Sequence, residues 1–425
     1  MDRAELIKKI DEAVESLSGE LVEFACEIFS IPTQNPPGYN YDRCTKAIGR
    51  MMEKAGMEVQ YIHVPEERLA ELAPKGEGLP RISVIGTLPG EAARPNIHFT
   101  GHYDVVPEGN GWTHDPYGCE IVDGNIYARG SGDQKSGIVS ELIAARALQK
   151  AGIRLKGTYI ASATPDEETG GQAGVGYLVE QGWFTKESTD YCVITECLDV
   201  DRVCIGHRGT LWFEINIRGR QSHGGQPGEG INPIEFINRL LNVIREDIEP
   251  LIAEPTPLPV MPPACRKTTI TPTIIRAGEK VNTVPGEAMI AFDWRLIPEL
   301  KLSWAKEQIE AALQKVRAQM PGTDYTIRYI EEDHPTLVPD DTDVVKAFLR
   351  SGKEYLGREL QFSVSPGMDD QKYVVQKGGM EQCIVYGPGR LTLAHKADEF
   401  ANIEEMKTAA KVMALSAAEL LGVAE

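Results

Sequence analysis

The chain has 425 residues, and its 44 Lys and Arg against 63 Asp and Glu give a formal net charge of −19. A chain of this length usually forms more than one hydrophobic core, so we expect two domains. The negative net charge argues against binding to nucleic acids or to anionic membranes. The chain shows no signal-peptide pattern, no apolar run long enough to cross a bilayer and no CxxC pair among its eight cysteines. We therefore predict a cytoplasmic protein with reduced thiols.

The first half of the chain alternates predicted helices with apolar strands. Such alternation is typical of an α/β domain with a largely parallel sheet. A Pro-rich stretch, "IPTQNPPG", separates the first helix from the rest. The predicted elements are a helix over 4–30, a strand over Ile97–Val106, a helix from Ser136 that stops before Gly152, and strands over Thr158–Ala163 and Tyr191–Thr195.

Beyond about residue 207 the pattern changes to strands with alternating apolar and polar residues, which indicates an antiparallel sheet with one solvated face. We predict an inserted α+β domain of four strands and two helices over 208–332, and a parallel-sheet domain formed by 1–207 and 333–425. The predicted strands are "TLWFEINIRG", "TTITPTIIRAG", "EAMIAFDWRL" and "DYTIRYI", and the helices are "NPIEFINRLLNVIRE" and "LSWAKEQIEAALQKV".

Polar residues cluster where predicted strands give way to loops, which is where ligands bind in open α/β sheets. His102 and Asp104 in "GHYDVVP" would share one face of a strand, and an imidazole beside a carboxylate is a common arrangement at metal sites. A His–Asp pair on a protein surface is the plainer interpretation. Asp133 stands between glycines in "ARGSGDQKSG", where it could simply cap the following helix.

Three acids stand together in "TPDEETGG", directly after an apolar strand. Like charges repel one another, so this is either a solvated turn or a place that receives a cation. Glu196 follows the apolar strand "YCVIT", and His395 lies in "LAHKADEF" near the C-terminus. Taken together, imidazoles and carboxylates at the ends of elements form a mixed nitrogen and oxygen set that suits zinc, manganese or cobalt.

These motifs occur in an order that resembles the M20 metallopeptidase family. The resemblance covers nearly the whole chain, including the inserted domain, and it rests on "GHYDVVP", "ARGSGDQKSG", "DEETGG", "ITEC", "GRQSHGG", "NTVP", "DWR", "GPG" and "AHKADEF". It implies a hydrolase of C–N bonds with two divalent metals per subunit, zinc first, with manganese or cobalt as alternatives. The inserted domain would be a lid through which two chains form a homodimer.

The resemblance also implies a role for each matching residue. Asp133 would bridge the two metals, His102 and Glu196 would complete one site, and Glu168 and His395 the other. Asp104 would support His102, and Glu167 would be the general base that acts on a metal-activated water. His223 would reach the active site of the partner subunit, and Arg295 and Asn282 would hold a carboxylate-bearing small substrate. The peptide Asp133–Gln134 would be cis.

The chain departs from the family pattern in one place that bears on the substrate. Met368 in "SPGMDDQKY" stands where relatives carry a hydroxyl residue, and a thioether donates no hydrogen bond. We therefore keep three hypotheses. The first is an amidohydrolase of N-acyl amino acids or dipeptides. The second is an aminohydrolase that releases ammonia from a nitroanthranilate-type aromatic amine, and the third is an inactive binding protein on the same scaffold.

Overall fold

The computed structural model describes residues 2–424, and their helices and strands form two compact units. The helices are α1 (Arg3–Ser16), α2 (Ser18–Phe29), α3 (Tyr41–Lys54), α4 (Leu69–Leu72), α5 (Ser136–Lys150), α6 (Tyr177–Glu180), α7 (Pro233–Val243), α8 (Leu302–Gln319), α9 (Asp343–Leu356) and α10 (Ile403–Leu421).

The strands are more numerous than the helices. They are β1 (Glu58–His63), β2 (Ile82–Leu88), β3 (Asn96–His102), β4 (Glu120–Val122), β5 (Asn125–Tyr127), β6 (Thr158–Thr164), β7 (Tyr191–Ile194), β8 (Arg202–His207), β9 (Gly209–Arg218), β10 (Ser222–His223), β11 (Thr269–Ala277), β12 (Thr283–Val284), β13 (Glu287–Leu296), β14 (Asp324–Asp333), β15 (Thr336–Leu337), β16 (Gln361–Ser365), β17 (Cys383–Val385) and β18 (Phe400–Asn402).

The first unit consists of the chain up to Ile205, Val338–Phe362 and the chain from Asp369 onward. Its large sheet runs in the order β1-β2-β6-β3-β7-β17-β8, and the four central strands β6, β3, β7 and β17 are parallel to one another. Helix α5 contacts β3 and β6, and α10 packs on α5. The α/β class predicted from the sequence is confirmed. The central strands are buried along their whole length apart from Tyr191 at the start of β7, as expected for parallel strands.

The second unit consists of Gly206–Leu337 and Ser363–Met368. Its antiparallel sheet runs in the order β11-β13-β9-β14, and α7 and α8 contribute apolar residues to its core. The side chains of Phe213, Phe236 and Trp294 are fully buried there. The alternation of buried and exposed residues along β9 and β13 produces one apolar face for the two helices. Its role as a lid and dimerisation domain stays a prediction.

Residues 363–368 join the second unit, although the sequence placed everything after 332 in the parallel-sheet domain. The backbone explains the difference. The amide of Val364 donates to the carbonyl of Pro259 (3.0 Å), and the carbonyls of Val364 and Ser365 accept from Met261 (3.2 Å) and Arg208 (3.1 Å). Hydrogen bonds to residues distant in sequence are not visible in a local pattern, so Met368 could not be assigned to this unit from the sequence.

The predicted boundaries of two elements are wrong. The single helix over 4–30 is two helices that break at Leu17, where Ser16, Ser18 and Gly19 are all weak helix formers. Strand β3 ends at His102 rather than at Val106. The amide of Val105 instead donates to the carbonyl of Thr33 (3.0 Å), so Asp104 lies on a loop and not on the strand face shared with His102.

Among residues 2–424, no helix is both long and apolar enough to span a bilayer.

Candidate metal centre

Three neighbouring parallel strands deliver the site residues to one edge of the large sheet. Strand β3 ends with His102, β6 is followed by the turn that holds Glu167 and Glu168, and β7 is followed by Glu196. Asp133 lies in the turn that precedes α5, and the peptide Asp133–Gln134 is cis. Because parallel strands end at the same edge, residues separated by up to 94 positions meet there.

The carboxylate of Asp133 lies between two imidazoles. Its Oδ1 is 3.2 Å from Nε2 of His102, and its Oδ2 is 3.3 Å from Nε2 of His395. The Nε2 of His102 is also 3.1 Å from Glu196, and the Nε2 of His395 is 3.1 Å from Glu168. The structure therefore brings together all five residues that the sequence proposes as metal ligands, in two groups that share Asp133.

The hydrogen bond at Nδ1 of His102 determines the tautomer of its ring. Nδ1 lies 2.9 Å from the backbone carbonyl of Asp104, which can only accept a hydrogen bond, so Nδ1 carries the proton. This leaves Nε2 free to act as a ligand on the side of Asp133 and Glu196.

The donor set fits divalent transition metals. Three groups of potential ligands have all their donor atoms within 4.8 Å of one another: His102 with Asp133 and Glu168, His102 with Glu167 and Glu196, and Asp133 with Glu196 and Cys197. Imidazole nitrogen and carboxylate oxygen together suit zinc, manganese and cobalt better than calcium.

The pKa values in the protein without ions reflect the crowding of charge. Burial raises the pKa of Glu167 well above its usual range, and the carboxylates of Glu196 and Glu168 add to this effect against the opposing charge of His102. Burial also raises the pKa of Glu168 to about 7. Hydrogen bonds to Asp133 and Glu168 raise the pKa of His395 to about 10. A cation bound among these carboxylates would offset the same crowding of negative charge.

Asp104 fastens the turn that carries Glu167 and Glu168. Its two carboxylate oxygens accept from the backbone amides of these two residues, each at 3.2 Å, and Oδ2 also accepts from the side chain of Asn35 (2.8 Å). One carboxylate oxygen is 3.4 Å from Nδ1 of His102. Asp104 is fully buried, and it connects His102 of one group to the turn that carries Glu168 of the other.

Glu399 holds the loop of Asp133 in the same way, by accepting hydrogen bonds from its backbone amides. The sequence analysis did not identify this residue. Its buried carboxylate accepts from the backbone amides of Gly132 and Asp133, each at 2.8 Å, and of Gly130 (3.1 Å). It also pairs with the buried guanidinium of Arg129. The residue stands in the motif "AHKADEF", but only contacts that span more than 260 residues reveal its function.

Asp166, which the sequence left without a specific role, is held in a buried ion pair. Its Oδ2 is 2.7 Å from Nε of Arg81, and both side chains are almost completely buried. The other oxygen accepts from the hydroxyl of Tyr41 (2.9 Å) and the amide of Asn35 (3.1 Å). With a φ of 69°, Asp166 turns the chain sharply before Glu167. Arg81 and Asn35 were also missed by the sequence analysis.

The remaining predicted residues lie in the second unit. His223 pairs with Thr283 in the β10–β12 ladder, and the next amide, of Gly224, donates to the carbonyl of Asn282 (2.7 Å), so His223 and Asn282 are neighbours. Arg295 donates to Asp293 (2.8 Å) and Thr210 (3.0 Å). The roles proposed for these residues and for Met368 stay predictions.

A family model for peptidase family M20/M25/M40 matches residues 98–419. The chain belongs to this family. It is a metallohydrolase of the M20 type that acts on C–N bonds, as the resemblance of its motifs implied. A match to a family of peptidases argues against the third hypothesis, an inactive binding protein.

Several named proteins and solved structures are similar to this chain. A succinyl-diaminopimelate desuccinylase from Xanthomonas euvesicatoria is 26% identical over 400 residues, which cover 91% of this chain and 95% of that protein. Human carnosine dipeptidase 1 has a similar fold, with a TM-score of 0.73 and 19% identity over 98% of this chain and 99% of that one. A dinuclear metal-binding M20 peptidase from Bacillus subtilis has a TM-score of 0.68 and 17% identity over 96% of this chain and all of that one.

The buried pair of Arg81 and Asp166 leads to a prediction about stability. The substitution Arg81→Met leaves the carboxylate of Asp166 buried without its cation, so we expect a loss of about 3–5 kcal/mol in the free energy of unfolding. Urea denaturation followed by circular dichroism measures the effect. Adding Asp166→Asn to this variant removes the charge and should restore part of the loss.

The matched control is Arg328→Met. Arg328 makes an ion pair with Glu214 of similar length (2.8 Å), but its side chain is 63% exposed. We expect this control to lose less than about 1 kcal/mol. Equal losses in the two variants would contradict the structural role assigned to Arg81.

Proposed function

We propose that the protein cleaves the amide bond of a small N-acyl amino acid or dipeptide-like substrate with the help of two divalent metals. The position of Asp133 between His102 and His395 supports this proposal most directly, because each imidazole also has a further carboxylate beside it. His102, Asp133 and Glu196 would hold one metal, and Asp133, Glu168 and His395 the other. Bound metals would activate water and polarise the scissile carbonyl.

We assign the role of general base to Glu167. Its side chain lies among the ligands, and one of its oxygens is within 4.8 Å of ligand atoms of His102 and Glu196. A carboxylate there can take a proton from the attacking water and pass it to the nitrogen of the leaving amine. The backbone amide of Glu167 donates to Asp104, which holds the turn from which the carboxylate projects.

We further propose zinc as the metal and a homodimer formed through the second unit. Strand β11 is an edge strand of its sheet and is exposed along nearly its whole length, with Ile274 and Ile275 at 45% and 55% exposure. An exposed apolar edge strand favours pairing with another chain. A monomeric mass in light scattering at working concentration would contradict the dimer.

A panel of substrates tests the proposed reaction. Zinc-loaded protein is expected to release free amine from N-succinyl or N-acetyl amino acids or from dipeptides, and chelation should abolish the release until metal is restored. Met368 has no hydroxyl with which to hold an amino-acid backbone, so aminobenzoates belong in the same panel. Ammonia from aminobenzoates without cleavage of any amide would favour the aminohydrolase instead. Full activity in chelated protein would contradict both.

The substitution Glu167→Gln tests the general base. It keeps the size of the side chain but removes its ability to accept a proton, so we expect kcat to fall by about 10²- to 10⁴-fold while the metal content is unchanged. Elemental analysis and steady-state kinetics on the same preparation measure both quantities.

Two control variants distinguish the loss of a general base from the loss of a metal ligand and from an unspecific effect of substitution. Glu168→Gln is expected to lose metal as well as activity, because Glu168 contacts His395 and lies in a ligand group. Glu180→Gln, on the surface beside Arg68, should change neither. If Glu167→Gln retained full turnover, the base would have to be another group.

A further inference from the structure

Two partly exposed cysteines of the first unit lie side by side. Cys26 is near the end of α2, and Cys119 directly precedes β4. The thiol of Cys119 donates to the backbone carbonyl of Cys26 (3.4 Å), and the two thiols are also within hydrogen-bonding reach of each other. The fold therefore brings together two sulfur atoms that are 93 positions apart in the sequence, and it leaves both accessible to solvent.

A second pair of neighbouring thiols lies in the core of the same unit. Cys192 of β7 and Cys383 of β17 are register partners on adjacent parallel strands, and their thiols are hydrogen-bonded to each other. Both side chains are fully buried in an apolar cluster. A buried thiol is inert however close its neighbour lies, because no reagent reaches it. Exposure therefore distinguishes the pair of Cys26 and Cys119 from the pair in the core.

Hydrogen bonds hold the backbone on both sides of the exposed pair. The backbone of Cys119 has a φ of 52°, in the left-handed region, at the end of a turn in which the amide of Gly118 donates to the carbonyl of Asp115 (3.0 Å). The next residues pair with β5. The carbonyl of Cys26 accepts from the amide of Ser30 (3.2 Å) as well as from the thiol of Cys119. The proximity of the two thiols is therefore a property of the folded chain.

The two thiols differ in how readily they ionise. The hydrogen bond from Cys119 lowers the pKa of Cys26 to about 7, against the opposing effect of partial burial. The pKa of Cys119 is raised, first by its hydrogen bond to Cys26 and then by burial. The thiolate is the form that attacks a disulfide, and the best attacking thiol has a pKa near the ambient pH. Cys26 is therefore suited to react first, and Cys119 lies beside it to react second.

We propose that Cys26 and Cys119 form a modification site that small disulfides of the glutathione type oxidise reversibly. The thiolate of Cys26 attacks one sulfur of oxidised glutathione, so a mixed disulfide forms and one glutathione thiolate leaves. Cys119 then loses its proton and attacks the sulfur of Cys26, and the second glutathione thiolate leaves. Two protein thiols are oxidised to one disulfide, and the oxidant is reduced to two glutathione thiols that take up the two protons. Neither cysteine belongs to the metal centre, so the proposal is independent of the proposed function.

Peptide mapping of the native full-length protein tests the proposal. Reduced protein is incubated with an excess of oxidised glutathione near neutral pH, its remaining thiols are alkylated, and it is digested without reductant. We expect mass spectrometry to find a cross-link between Cys26 and Cys119, and a reductant should remove it. The pair of Cys192 and Cys383 is the matched control and should be alkylated only after the protein is unfolded. Absence of the first cross-link, or an equal yield of a cross-link in the buried pair, would overturn the proposal.

Variants of single cysteines test the order of the two steps. Cys119→Ser keeps the attacking thiol but removes the one that resolves the mixed disulfide, so glutathione should stay attached to Cys26. Cys265→Ser removes a partly exposed thiol of the second unit and should leave the cross-link unchanged. A Cys119→Ser protein whose Cys26 stays free of glutathione, or a Cys265→Ser protein without the cross-link, would overturn the proposal. If a variant does not fold, the peptide map of the wild type decides alone.

Discussion

Repulsion between carboxylates crowded at one edge of the large sheet governs how the first unit is built. Asp104, Asp133, Glu167, Glu168 and Glu196 converge there, together with the buried Asp166. Burial of these carboxylates costs free energy, and it raises the pKa of Glu167, Glu168 and Glu196. Without ions, His102 and His395 supply the only nearby imidazoles described, and Arg81 neutralises Asp166. Two divalent cations at Asp133 would reverse the electrostatics of the whole cluster.

Two buried carboxylates, Asp104 and Glu399, hold the turns that carry the proposed ligands. Asp104 accepts the backbone amides of Glu167 and Glu168, and Glu399 accepts those of Gly130, Gly132 and Asp133. Both are buried, and both come from parts of the chain distant from the turns they bind. Hydrogen bonds between a carboxylate and backbone amides are strong and directional, so the positions of the proposed ligands are fixed before any ion arrives. The ligand positions are therefore preorganised, and this requires two carboxylates to be buried.

Much of this arrangement can be predicted from the sequence, because the strands and the residues at their ends are local features. The period of apolar residues located β6 and β7, and the polar residues that follow them named Glu167, Glu168 and Glu196. His395 and Asp133 required the resemblance to a family, because nothing in their own surroundings distinguishes a ligand from a loop residue. Arg81, Asn35 and Glu399 could not be found at all, because their function lies in contacts across 85, 69 and 266 positions.

The number of metals per chain tests the central claim most directly. Metal-free protein titrated with Zn²⁺ in a calorimeter, with elemental analysis of the dialysed product, should give two equivalents per chain. His102→Ala and His395→Ala should each retain fewer than two, because each removes a ligand from one of the two groups that share Asp133. Two equivalents in the wild type and a loss in both variants would support the account. Wild-type protein that retains no zinc, or variants that bind two equivalents as tightly as the wild type, would contradict it.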